Sequence, residues 1–220
     1  YQHICLELLW WLFLLISITP RCFRYYILKP FLAFLIILSH YRHKVIAENL
    51  SKSFPEKSRQ EIRRLVRSYY IHLAEVAVDI ISLVGASERR KDRAVNWVNA
   101  KEVTERLNGK DWIAVGAHYG CWEYLPLWSR KQMCNTFMSV YHPMSSVVFD
   151  SFFQRMRRYS ENITTIPMKS TITYYLRNRS KGKGIILGLL SDQSPNLRAD
   201  THWFRFLNQD TAFIDGAESI

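Results

Sequence analysis

Glycine is scarce in this 220-residue chain, eight in all, and no cluster of them forms a phosphate-cradling loop. The four cysteines, Cys5, Cys22, Cys121 and Cys134, show neither CxxC nor Cys/His zinc spacing, so free thiols in a reducing compartment and no metal site are expected. There is no internal repeat and no low-complexity linker. Acidic residues are the minority, 19 against 30 Lys plus Arg, and the resulting charge of +11 favours an anionic partner: nucleic acid, acidic lipid or an acidic protein. Aromatic residues make up 14% and include seven Trp, and much of that mass gathers near the N-terminus with aliphatics, as at a membrane interface. No nucleic-acid partner is therefore expected. The length suits one sizeable α/β domain with a short appendage. The chain begins at Tyr1 without methionine and stops in a helical-looking segment, which reads as a fragment lacking both native termini.

Long apolar runs are also interrupted. "ICLELLWWLFLLISI", Ile4 to Ile18, is apolar apart from Glu7 and Ser17, and Pro20 ends it short of the roughly 20 residues a span needs. "ILKPFLAFLIIL", Ile27 to Leu38, is broken by Lys29 and Pro30 and runs into "SHYRHK". Basic flanks favour the cytoplasmic side or anionic headgroups. The expectation is a membrane anchor with an interfacial helix over residues 1–40; a cleaved signal peptide and a buried helical hairpin are the alternatives.

Residues 41–108 read as a helical collar. From Glu61 to Val84 the positions Ile62, Leu65, Val66, Tyr69, Leu73, Val76, Ile80 and Val84 recur at three- and four-residue steps, an amphipathic helix with Arg63, Arg64 and Arg67 on the other side of its first half. Those arginines are either a solvated face or, beside an anchor, a headgroup contact. After Gly109 the period changes. "WIAVGA", "TFMSVY", "ITTIP" and "GIILGLL" read as strands, with helices around Trp122–Lys131, Val148–Tyr159 and Ser170–Arg179 between them. Residues 109–220 are thus expected to form an α/β catalytic domain, C-terminally incomplete, whose mostly parallel sheet is covered by helices on both faces.

The stretch "AVGAHYGCWEY" follows the first strand. In a continuous helix His118 and Glu123 would point about 140° apart, but a strand, a turn at Gly120 and a new helix bring Glu123 back to the imidazole. His118 is then a base held in one tautomer by a carboxylate. Ser191-Asp192-Gln193, after the strand "GIILGLL", falls on the same sheet edge, where open parallel sheets place their sites. A histidine that merely caps a helix, and an Asp-Gln-Ser-Pro turn, are the plainer alternatives.

These elements do not stand alone. The apolar N-terminus, "YRHKVIAENLSKSFPE", "GAHYGCWE", "YHPMSSVVFDSFFQRMRR", "LLSDQSP" and "WFRFLNQDTAF", in this order, resemble the bacterial lipid A biosynthesis (lauroyl/myristoyl) acyltransferase family over nearly the whole chain. The resemblance implies an enzyme that needs no metal, other cofactor or covalent acyl-enzyme. It would move an acyl chain from acyl carrier protein to the 3-hydroxyacyl hydroxyl of an anionic glycolipid, a lipid A precursor, on the cytoplasmic face of the inner membrane. His118 would be the general base and Glu123 its orienting partner. Arg155 and Arg157 align with the family's arginines and are expected to bind acceptor phosphate or position the donor, with a solvated face as the alternative. Asp192 and Gln193 are expected to support the site. Part of the excess charge would steer the acidic carrier protein.

Departures from the family's pattern are Cys121 where Asn is usual, His142 where Arg is common, and Asn208 where Gly usually follows Phe-Leu. A glycerolipid or aminolipid acyltransferase would share the His/acid spacing but carry a later Phe-Pro-Glu-Gly-Thr element; here "FPE" at Phe54–Glu56 precedes the histidine. Two further alternatives are Cys121 as a nucleophile with His118 as its base, and an inactive membrane-tethered binding protein.

Overall fold

The computed structural model describes residues 1–131, 135–158, 161–179, 182–193, 202–213 and 217. Cys134, Tyr159 and the Ser194-Pro195 end of "LLSDQSP" lie outside them.

Four strands, β1 (Trp112–Gly116), β2 (Asn135–Tyr141), β3 (Ile163–Pro167) and β4 (Gly184–Leu190), form an all-parallel sheet in the order β1-β4-β2-β3. They are the four runs expected to be strands. In β4 the consecutive residues Ile185, Ile186 and Leu187 are all buried, because a parallel strand covered on both faces has no wet side. Met138, Ile166, Ile185 and Leu187 pack on one face beneath Tyr175 of α9 (Thr171–Asn178). Phe137 and Ile186 pack on the other, with Val103 and Leu107 of α7 (Ala100–Leu107) and with Trp128. Gly188 lets the Phe137 ring lie over β4; a Cβ there would meet it at 2.7 Å.

The expected helix at Trp122–Lys131 is a 3₁₀ helix, with Pro126 inside it. The proline ring would clash with the carbonyl four residues back in an α-helix, which disfavours regular α winding here. α8 (Val147–Met156) starts at Ser146, whose hydroxyl accepts from the Phe149 N–H. Strands β5 (His202–Phe206) and β6 (Gln209–Phe213) make a separate antiparallel hairpin. Its two turn residues, Leu207 and Asn208, have φ of 47° and 60°, the mirror-image turn that fits strand twist. Asparagine is among the few residues other than glycine that adopt this conformation readily, which suits Asn208 to the turn.

The N-terminal half is helical: α1 (Gln2–Ile18), α2 (Arg21–Phe23), a π-turn (Arg24–Leu28), α3 (Lys29–Leu38), α4 (His43–Ser53), α5 (Arg59–Val84) and α6 (Glu88–Arg93). α5 opens with a capping box, in which Ser58 N–H donates to Glu61 Oε2 at 2.8 Å and Glu61 N–H to Ser58 Oγ at 3.3 Å. Its buried stripe is Ile62, Val66, Tyr70, Ala74, Val76, Val78, Ile81 and Leu83. Tyr69, expected inside, is exposed. Its neighbour Tyr70 turns inward and donates its hydroxyl to the Tyr41 carbonyl at 3.0 Å.

No single helix among the described residues is long and apolar enough to cross a membrane. α1 and the Arg21–Leu38 segment reach that length and composition only together, and they are bent by 111°. One face of α1 is part of the protein core: Leu6, Leu9, Trp10 and Phe13 pack against Leu83, Leu127, Phe152 and Met156. Its other face leaves Ile4, Leu8, Trp11, Leu12 and Leu15 exposed, and α3 likewise exposes Phe31, Phe34, Leu35 and Leu38.

Candidate active site

The carboxyl ends of β1 and β4 lie side by side because their pairing is in register, Gly116 opposite Leu190. Two residues further on stand His118 and Asp192. His118 Nδ1 lies 2.7 Å from Asp192 Oδ1, and the His118 main-chain N–H donates to Asp192 Oδ2 at 2.8 Å. A carboxylate only accepts, so in the neutral imidazole Nδ1 carries the proton and Nε2 keeps its lone pair. The Trp122 ring meets the imidazole at 4.9 Å in an edge-to-face contact, which fixes its plane. Partial burial works to raise the Asp192 pKa, but the ring and main-chain hydrogen bonds from His118 outweigh it and hold the carboxyl below its ordinary value. Gly120, at φ 59°, makes the turn that the sequence required.

Glu123 is placed differently from its expected role. Its side chain is buried, 4% exposed, and both oxygens accept from Arg157: Oε2 from Nε at 2.8 Å and Oε1 from Nη2. The same guanidinium stacks over Phe153 at 5.3 Å. The structure therefore gives His118 an aspartate 74 residues away as its ring partner and gives Glu123 a bidentate arginine. The second expected arginine goes elsewhere. Arg155 pairs with Glu7 of α1 at 2.7 Å and lies 4.1 Å from the centre of the Trp10 ring, so it fastens α1 to α8.

A cleft of about 520 Å³ opens over this edge, lined by His118, Glu123, Arg157 and Gln193 among others. Its walls include Trp97, Trp122, Leu125, Phe153 and Met168, an apolar surface suited to a hydrocarbon chain. Tyr141 and His142 line it too. Asp150 supports that wall, accepting from the Met144 N–H at 2.9 Å and from Gln154 Nε2 at 2.6 Å, while Gln154 also donates to the Tyr141 hydroxyl at 2.8 Å. The Asp150–Gln154 spacing of one helical turn was visible in the sequence, but nothing in it pointed to the cleft.

Cys121 is partly buried, and burial first, then the charges of Asp79 and Glu123, pushes its thiol up to about 12. A thiol so placed is inert as a nucleophile at neutral pH. Among the described residues, no group of three or more His, Cys, Asp or Glu could hold a metal ion.

The family model for bacterial lipid A biosynthesis acyltransferases matches residues 4–215, from the first turn of α1 past the β5–β6 hairpin. The chain belongs to that family. It is thus an acyltransferase of lipid A biosynthesis. No curated protein matches the acyltransferase.

Proposed function

We propose that the protein transfers a fatty acyl chain from acyl carrier protein to the 3-hydroxyacyl hydroxyl of an anionic lipid A precursor, at the cytoplasmic face of the bacterial inner membrane. The observation that carries the mechanism is His118 with Nδ1 on Asp192 at the mouth of an apolar cleft. Nε2 takes the proton of the acceptor hydroxyl as its oxygen attacks the thioester carbon. The C–O bond forms, the C–S bond breaks, and the imidazolium returns the proton to the departing thiolate. Asp192 holds the tautomer and stabilises the imidazolium, the task first expected of Glu123. Glu123 instead locks Arg157 into the cleft wall, where Arg157 and Gln193 position substrate. Arg155 acts at one remove, by seating α1. The exposed apolar faces of α1 and α3 rest on the bilayer, with the basic residues around them against anionic headgroups.

Direct attack fits better than a covalent route because the Cys121 thiol is held protonated. The test is mass spectrometry of a lipid A precursor incubated with acyl-acyl carrier protein and the full chain. An ester-linked acyl chain on a 3-hydroxyacyl group is expected; transfer only to a glycerolipid would move the acceptor assignment, and no transfer to either would favour a tethered binding protein.

A further inference from the structure

A second groove, of about 400 Å³, lies between the Tyr25–Ile37 segment and α5 and shares no lining residue with the catalytic cleft. Ala33, Phe34, Ile37 and Ile71 give it an apolar floor. Phe34 and Ile71 are exposed, so the floor runs out into the apolar face that α3 presents with Phe31, Leu35 and Leu38. Two tyrosines and two cations border it: the Tyr25 hydroxyl donates to Asp79, Tyr26 is exposed, and Lys29 Nζ pairs with Glu75 at 3.0 Å. The other cation is Arg67. No carboxylate among the described residues pairs with it, and Arg63 and Arg64, one turn away on α5, add to the local positive charge.

An apolar floor with one uncompensated guanidinium at its rim is the chemical complement of an anionic amphiphile. A soluble anion would leave the floor wet, a lipid without a phosphate would give Arg67 no partner, and a zwitterionic lipid would bring a second cation beside Arg67. We propose that this groove holds one anionic phospholipid, an acyl chain along Ala33, Phe34, Ile37 and Ile71 and its phosphate on Arg67. The site is independent of the catalytic reading. It would fasten the bent N-terminal segment to the bilayer at one defined point rather than through diffuse charge alone.

The experiment uses the full chain with phosphatidylcholine vesicles containing or lacking phosphatidylglycerol that carries a photoactivatable acyl chain. Crosslinks are expected on α3 and around Ile71. Arg67→Gln should lower them about tenfold, the worth of one charge-assisted hydrogen bond, and Ile71→Trp should lower them by filling the groove. Arg63→Gln, on the same helix but outside the groove, should change them little, and acyl transfer to dispersed substrates should stay unchanged in all three variants. Equal losses in Arg67→Gln and Arg63→Gln would overturn the site in favour of a diffuse basic surface. Equal labelling by photoactivatable phosphatidylcholine would overturn the headgroup preference, and displacement by inorganic phosphate would reduce the site to a plain anion contact.

Discussion

Asp192 accepts two hydrogen bonds from His118, one from the ring Nδ1 at 2.7 Å and one from the main-chain N–H at 2.8 Å. Main chain and side chain are thus held by one carboxylate, and the imidazole can neither flip nor change tautomer without losing a charge-assisted bond. His118→Ala is expected to lower acyl transfer about 10²–10⁴-fold with the fold intact. Asp192→Asn should lower kcat by about 10²-fold or more, since an amide at that position accepts less well and tolerates the wrong tautomer. Steady-state kinetics on both variants checks this, and wild-type turnover in either would remove that residue from the mechanism.

The hydrogen bonds that depress the Asp192 pKa also give stability a pH dependence. A carboxyl whose folded value lies below its unfolded value, about 3.9, contributes stability fully present above that value and lost as pH falls through the folded one. Thermal melts of wild type and Asp192→Asn should therefore differ at about pH 5 and converge as the solution is made more acidic than that. A gap that widens below about pH 4 would contradict the assignment.

Much of this site was legible in the sequence, and the part that was not has a definite cause. Four runs announced four strands, and Gly120 announced the turn after His118. His118 and Asp192 could be put on one sheet edge, but their contact depends on β4 being the neighbour of β1, in register from Trp112–Ile186 to Gly116–Leu190. Strand order is a tertiary property with no local signal, so the nearby Glu123 stood out as the partner. The β5–β6 hairpin did carry a signal, a two-residue turn at Leu207-Asn208 between short aromatic and polar runs, but asparagine in place of glycine weakened it.

Arg155 and Arg157, two residues apart, should behave differently. Arg155→Gln removes a partly exposed ion pair with Glu7 and a cation–π contact with Trp10. The expected cost is about 1 kcal/mol, or a fall in Tm of about 2–4 °C. KM for both substrates should hold in detergent, where α1 needs no bilayer. A selective rise in acceptor KM without loss of Tm would return Arg155 to the substrate site.

Cys121→Ala should keep most activity. With the thiol near 12, the thiolate fraction is on the order of 1 in 10⁴ at pH 8. Intact-protein mass spectrometry after mixing with acyl donor should find no acyl adduct; a thioester at Cys121, lost with turnover in the variant, would establish the covalent route.

Glu123→Gln separates the two carboxylates most sharply. Glu123 and Arg157 form a pair whose glutamate is almost wholly buried and whose arginine is 17% exposed, so removing one charge strands the other. The expected cost is about 3 kcal/mol, the lower end for a broken buried pair because Arg157 keeps some solvent, or a Tm lower by about 6–12 °C. Arg157, released from its fork, should let the cleft wall shift and raise KM. Replacing both residues with apolar ones of similar volume should recover much of the lost stability, since no charge is then left unpaired, while leaving KM high. Asp192→Asn should show a different balance, with kcat reduced strongly, KM held, and a loss of Tm at neutral pH smaller than that of Glu123→Gln. If Glu123→Gln instead lowers kcat while Tm and KM stay at wild-type values, Glu123 is the residue that orients His118 during turnover, and its pairing with Arg157 belongs to a resting arrangement of the cleft.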